Sequence, residues 1–156
     1  MPHGLISREG DPNAQGLGSI TSPSSLVFNT KEDNHAFAAA YEDGDLCLFD
    51  CEDLVLLRTI EEANAHIVAY SPDGLTLMTG NSAGMIQLLE FDMSQLLYRV
   101  NAADYGIRGL SFSTDNLRFM DVRGTQCKVW EPAVLLGLAK RDDSSTEPTP
   151  CCFSYL

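Results

Sequence analysis

The chain has little of what catalysis or nucleic-acid binding requires. Its 156 residues include three histidines, His3, His35 and His66, and none belongs to a local catalytic motif. Lys and Arg total 10 against 22 Asp and Glu, a net charge of −12. Phosphate contacts demand Lys and Arg, so this balance argues against a nucleic-acid partner. No apolar run approaches the roughly 18 residues of a membrane-spanning helix, so no membrane partner is expected. Met1 to Arg8 lacks the apolar core of a secretory signal, and an intracellular, cytoplasmic location is expected. No Gly-x-x-x-x-Gly-Lys-Ser/Thr phosphate loop occurs.

Cysteine chemistry is equally sparse. The five cysteines, Cys47, Cys51, Cys127, Cys151 and Cys152, are odd in number and do not outline a disulfide framework. No histidine stands at finger-like spacing from them, so no metal site is expected. Cys151-Cys152 is not a prenylation box, because Phe153 occupies the fourth position from the end. Glu42-Asp43 and Glu61-Glu62 are paired carboxylates, but they fall at predicted turns where solvated acids are common. No catalytic residue, cofactor or metal is therefore expected, and the chain reads as a non-enzyme.

What is present is a repeat. Gly44, Gly84 and Gly124 fall 40 residues apart, and each opens an apolar-alternating run that ends in an acid: Asp50, Glu90 and Glu131. Setting Phe49, Leu89 and Trp130 equivalent gives steps of 40 and 41. The third copy thus carries one extra residue, which predicts a β-bulge in that strand. In this register Cys127 matches Leu46 and Ile86, an apolar position, and Lys128 matches Cys47 and Gln87. Upstream of each Gly lies a strand that ends in an aromatic and a polar turn: Leu26-Val-Phe28 with Asn29, Ile67-Val-Ala-Tyr70 with Ser71-Pro-Asp-Gly74, and Leu110-Ser-Phe112 with Ser113-Thr-Asp-Asn116. Pro72 presets φ in its turn, Gly74 accepts positive φ, and Asn116 adopts it more readily than most residues.

Each copy yields four strands. They are predicted at 25–29, 35–41, 45–50 and 54–60; at 65–70, 75–80, 85–91 and 96–100; and at 107–113, 117–122, 125–130 and 133–139. Leu54 to Leu57 and Ala133 to Ala139 have the propensity to start helices. Their place before the next repeat predicts outer strands instead. A period near forty with four short strands marks propeller blades. The expected fold is all-β, an open, partial propeller of three four-stranded blades over 24–139, divided at 24–64, 65–105 and 106–139. Residues 1–23 read as a flexible leader with a remnant strand near Leu17 to Ile20. Residues 140–156 read as a disordered polar tail in which Ser144, Ser145 and Thr146 lie beside acids.

Ser71-Pro-Asp-Gly74 with its following Gly-x-Ile-x-Leu run, and Lys128-Val-Trp-Glu131, resemble Trp-Asp (WD) repeats. Trp130 alone holds the signature Trp, with Phe49 and Leu89 elsewhere, and the Gly-His pair is missing from every copy. Asp43 matches the family's tight-turn Asp, where Ala83 and Arg123 stand in the other copies. The Asp-His-Ser-Trp hydrogen-bond network is therefore incomplete throughout, and cohesion is expected to rest on apolar packing. Asp121 to Pro132 is also similar to the last-repeat region of fungal NACHT/WD-repeat nucleotide-sensing receptors, which implies partner or ligand sensing by the propeller.

A closed propeller needs roughly four to eight blades, so three leave faces and edges open. A fragment of a larger propeller is the first reading, a self-assembling ring the second, and an open three-blade stack the third. Charge falls along the copies: 24–64 holds 10 acids and 2 bases, 65–105 holds 4 and 1, and 106–139 holds 3 and 4. This gradient would let the first and third segments attract one another between chains, while a solvated acidic surface is the plainer reading. The expected function is a non-catalytic protein-interaction module that presents rim loops near 41–44, 81–84 and 121–124 to a protein partner. The alternatives are the sensor propeller of a nucleotide-regulated NACHT-type receptor, and a structural or decayed repeat copy without a partner.

Overall fold

In a computed structural model, residues 21–101, 105–139 and 151–155 are described. They form three antiparallel four-stranded sheets. The first holds β1 (Pro23–Phe28), β2 (Ala36–Tyr41), β3 (Leu46–Asp50) and β4 (Leu56–Ile60). The second holds β5 (Ile67–Tyr70), β6 (Thr76–Gly80), β7 (Met85–Glu90) and β8 (Leu96–Asn101). The third holds β9 (Ile107–Phe112), β10 (Phe119–Arg123) and β11 (Gln126–Glu131), then crosses helix α1 (Ala133–Ala139) to reach β12 (Cys151–Tyr155). Strands neighbour in chain order within each sheet, so each is a meander. Eleven of the twelve strands lie where the repeat predicts them.

The sheets stand beside one another with β1, β5 and β9 adjacent, as blades stand around an axis. Alternation within the middle strands sends successive side chains to opposite neighbours. Ala38 and Ala40 of β2 pack on Val68, Tyr70 and Leu77 of the second blade. Met78, Ile86 and Leu88 leave that blade's other face to meet Ile107 and Phe119 of the third. The run Ala36-Phe-Ala-Ala-Ala-Tyr41 is buried throughout because both faces of β2 are covered. Gly80 is small for a reason: a Cβ there would lie 2.9 Å from Cγ2 of Ile107.

The turns between the first two strands of each blade tie the blades together. Asn29 Nδ2 donates to the Gly74 carbonyl at 3.0 Å, and the Asp73 N–H donates to Asn116 Oδ1 at 3.2 Å. The second and third turns share one internal design. Ser71 Oγ and Leu75 N donate to Asp73 Oδ1, while Ser71 Oγ accepts from Thr76 N. Ser113, Asp115, Leu117 and Arg118 repeat this set. Gly74 and Asn116 both take the expected positive φ, 71° and 59°. At Gly74 a Cβ would also fall 2.2 Å from Asn29 Oδ1 and 2.7 Å from Lys31 Cβ. Gly74→Ala is therefore expected to lose about 1–2 kcal/mol from backbone strain alone, read as a lowered urea midpoint.

Two expectations are corrected in the third blade. Residues 133–139 form α1, not an outer strand, and the outer strand is β12, within the segment expected to be a disordered tail. Ala and Leu dominate 133–139, and Pro132 immediately before them suits a helix start. The blade's edge is instead filled by an aromatic-containing segment, with Val129 opposite Phe153 and Trp130 opposite Cys152. Local propensity thus overrode repeat position. Residues 1–20, which include most of the expected leader and its remnant strand, and 140–150, which include Ser144, Ser145 and Thr146, lie outside the described residues.

Candidate functional site

The hairpins joining the second and third strands of each blade form one rim, and they differ in build. Tyr41 to Asp45 closes the first, with Tyr41 N–H donating to the Asp45 carbonyl at 3.0 Å and Asp43 Oδ1 accepting from Asp45 N at 3.1 Å. Asn81 to Met85 closes the second, with Asn81 Oδ1 accepting from Ala83 N and Met85 N at 3.0 and 2.9 Å. In the third, Arg123 pairs with Gln126 and leaves Gly124-Thr125 as the whole loop. The expected bulge is corrected here: β11 pairs with β10 and β12 in unbroken register. The extra residue after Gly124 arises because this loop is tighter and its glycine sits earlier in it. Cross-strand pairs do set Phe49, Leu89 and Trp130 equivalent, opposite Phe37, Leu77 and Phe119, so Cys127 does match Leu46 and Ile86.

Between the second and third blades this rim opens into a cleft of about 300 Å³ bounded by Ser82, Tyr105, Gly106, Arg108 and Gly124. Gly106 allows the connector to press on the hairpin, since a Cβ would sit 2.8 Å from the Ser82 carbonyl oxygen. Ile107 N–H donates to the Asn81 carbonyl at 2.9 Å and holds that approach. Tyr105 is 58% exposed and lies against Gly124. Between the first and second blades the rim is acidic. Asp45 Oδ1 accepts from Glu62 N at 3.0 Å, and Asp43 and Glu42 stand on the adjoining hairpin. The predicted turns 41–44 and 81–84 thus reach one rim with 124–125. Tyr105 and Arg108 were missed, because neither the connector before β9 nor the start of β9 carries a motif.

Behind the third hairpin lies a buried polar cluster that the missing family network did not foreshadow. Asp121 and Arg123 are both fully buried. Arg123 donates from Nε to Asp121 Oδ1 and from Nη2 to Oδ2, each at 2.7 Å. Trp130 Nε1 donates to the same Oδ2 at 2.6 Å. The strand pleat puts Phe119, Asp121 and Arg123 on one face, with Trp130 directly opposite Phe119. The legible signal was a Trp whose indole N–H needs an acceptor when half-buried.

His35 lies at the surface, its Nδ1 3.3 Å from Glu52 Oε1. His66 is half-buried just before β5. Burial pushes the Cys47 thiol above its usual range, which suits a small core residue. Among the described residues no three His, Cys, Asp or Glu side chains are grouped to hold a metal ion. None of their helices is long and apolar enough to cross a membrane.

Three four-stranded meanders set side by side, with their hairpins on one rim, define propeller blades. The solved WD40 repeats of RRP9 superpose with a TM-score of 0.67 at 24% identity, covering 74% of this chain and 37% of that one. The structure of U3-55K gives the same TM-score at 23% identity, covering 74% and 38%. Mouse WD repeat-containing protein 90 is 29% identical over 143 residues, 89% of this chain and 7% of that protein. No protein-family model matches the chain. The chain therefore spans well under half of each of these relatives.

Proposed function

We propose that the chain is a non-catalytic protein-interaction module whose hairpin rim receives a protein partner. The observation that carries this reading is the cleft between Ser82 and Tyr105, lined by an exposed aromatic and an arginine beside a close glycine contact. Exposed Tyr and Arg on a braced scaffold are the residue types that dominate protein–protein contacts. Retention from lysate tests it. Proteins held by the native chain are expected to be lost on combining Tyr105→Ala with Arg108→Ala, with the near-ultraviolet signal of Trp130 unchanged. Equal retention by the variant would defeat the reading.

Blade faces at both ends bear on assembly within the same proposal. Leu26 and Phe28 of β1 are 51% and 62% exposed, and Met120 and Val122 of β10 are 38% each. These side chains lie on the faces turned away from the middle blade, where further blades or a second copy would complete a ring. A second reading, the sensor propeller of a nucleotide-regulated receptor, draws on the Asp121 to Pro132 stretch and expects an adjoining phosphate-loop domain.

A further inference from the structure

The opposite rim, built from the turns after β5, β7 and β9, holds a second cleft of about 310 Å³ between the second and third blades. Its floor is apolar: Leu75 and Leu97 come from the second blade, Leu135 and Leu138 from α1. Its lining also carries the carboxylates of Asp73, Glu90, Asp92 and Asp115; among the described residues no Lys or Arg lines it, and Arg118 Nη1 lies 3.9 Å from Asp115 Oδ2. Asp73 spends Oδ1 on its own turn, while the Glu90 and Asp92 carboxylates take no hydrogen bond or ion pair among the described residues. The Ser113 hydroxyl, and then the Leu117 N–H, hold the Asp115 carboxyl below its usual range, so it stays ionised.

We propose that this cleft binds an arginine or lysine side chain from an extended segment of a partner protein, with a neighbouring apolar residue seated on the four leucines. Charge complementarity selects the head group: the Glu90 and Asp92 carboxylates, without partners among the described residues, stand beside the four leucines. The floor selects a long side chain over a compact cation, because Lys and Arg lay aliphatic stems on apolar surface and keep the charge at the rim. Arginine fits best, since its planar fork pairs with two carboxylates at once. The volume lies near the lower end of the ~300–1,000 Å³ range of ligand sites, room for one or two side chains. This site is separate from the hairpin rim, and α1 supplies half its floor.

The test uses the full 156-residue chain and arrayed random heptapeptides whose central residue is fixed as Arg, Lys, Leu or Glu. Arg- and Lys-centred peptides are expected to be retained about tenfold better than the others, the equivalent of one charge-assisted hydrogen bond. Combining Glu90→Gln with Asp92→Asn is expected to remove that preference while Tyr105→Ala leaves it intact. Asp92→Asn and Asp73→Asn singly give the same readout if the double variant misfolds. Equal retention of Leu- or Glu-centred peptides, or an undiminished preference in the variants, would overturn the proposal. So would tighter peptide binding after Lys140→Gln with Arg141→Gln, which would make this chain's own segment the occupant. Binding of spermidine without any peptide preference would overturn it too, marking a small-cation site.

Discussion

Asp121→Ala is expected to destabilise the chain by about 3–5 kcal/mol, the cost of removing one member of a buried ion pair. Against a typical total of ~5–15 kcal/mol, that takes a large share of what holds the domain. The loss is compound. Arg123 forfeits both 2.7 Å bonds to its carboxylate in a site with no solvent access, and the Trp130 indole forfeits its acceptor. Asp121→Asn separates the two terms. An Asn oxygen still accepts from the indole, but the guanidinium loses its counter-charge, so Asn should recover only a part. Combining Asp121→Leu with Arg123→Leu tests the opposite limit. An apolar pair of suitable volume is commonly neutral or stabilising where a single deletion is ruinous. Urea midpoints of the four chains, with Trp130 fluorescence as the local probe, give the ranking: native and double variant highest, Asn next, Ala lowest. If Ala matches native, the cluster is not what locks the third blade.

The strands were readable because their two signals agree. Apolar alternation marked each strand, and Gly, Asn, Asp and Pro punctuated the ends, so tertiary context had little left to decide. The third blade shows where that agreement fails. Gly124 keeps the 40-residue step yet sits in a two-residue loop, so a spacing that looked like homology of position was partly coincidence. Ala133 to Ala139 obeyed propensity over repeat position, and the displaced outer strand came from 151–155. The sites were less legible than the fold. The hairpin rim could be anticipated from three turns, but Tyr105 reaches it from a connector and Arg108 from the start of β9, neither with a motif. The acidic cleft joins turns of two blades to a helix that repeat logic had assigned as a strand. The Asp121 cluster depends on which strand face each residue takes, and it places together groups two and nine residues apart.

Phe49→Ala is expected to cost about 3–5 kcal/mol, the range for emptying a buried aromatic site. Phe49 is fully buried and stacks on Phe37 at a centroid distance of 5.0 Å, and Phe37 in turn meets Phe28 at 5.7 Å. In the third blade the same position is Trp130, stacked on Phe119 at 6.1 Å. The two blades have thus solved one packing problem differently, and substitution can tell the solutions apart. Phe49→Trp puts an indole N–H where the counterpart of Asp121 is Ala39, which has no side-chain acceptor. An unpaired buried donor costs about 1–3 kcal/mol, so the signature residue should destabilise the first blade. Trp130→Phe makes the converse change: it keeps the stack but leaves Asp121 with Arg123 alone, and should cost less than Asp121→Ala. Thermal or urea unfolding should rank Phe49→Ala as most damaging and Phe49→Trp as intermediate. A gain in stability from Phe49→Trp would show that indole packing outweighs the missing acceptor, and would overturn the claim that the signature residue needs an Asp121-like partner.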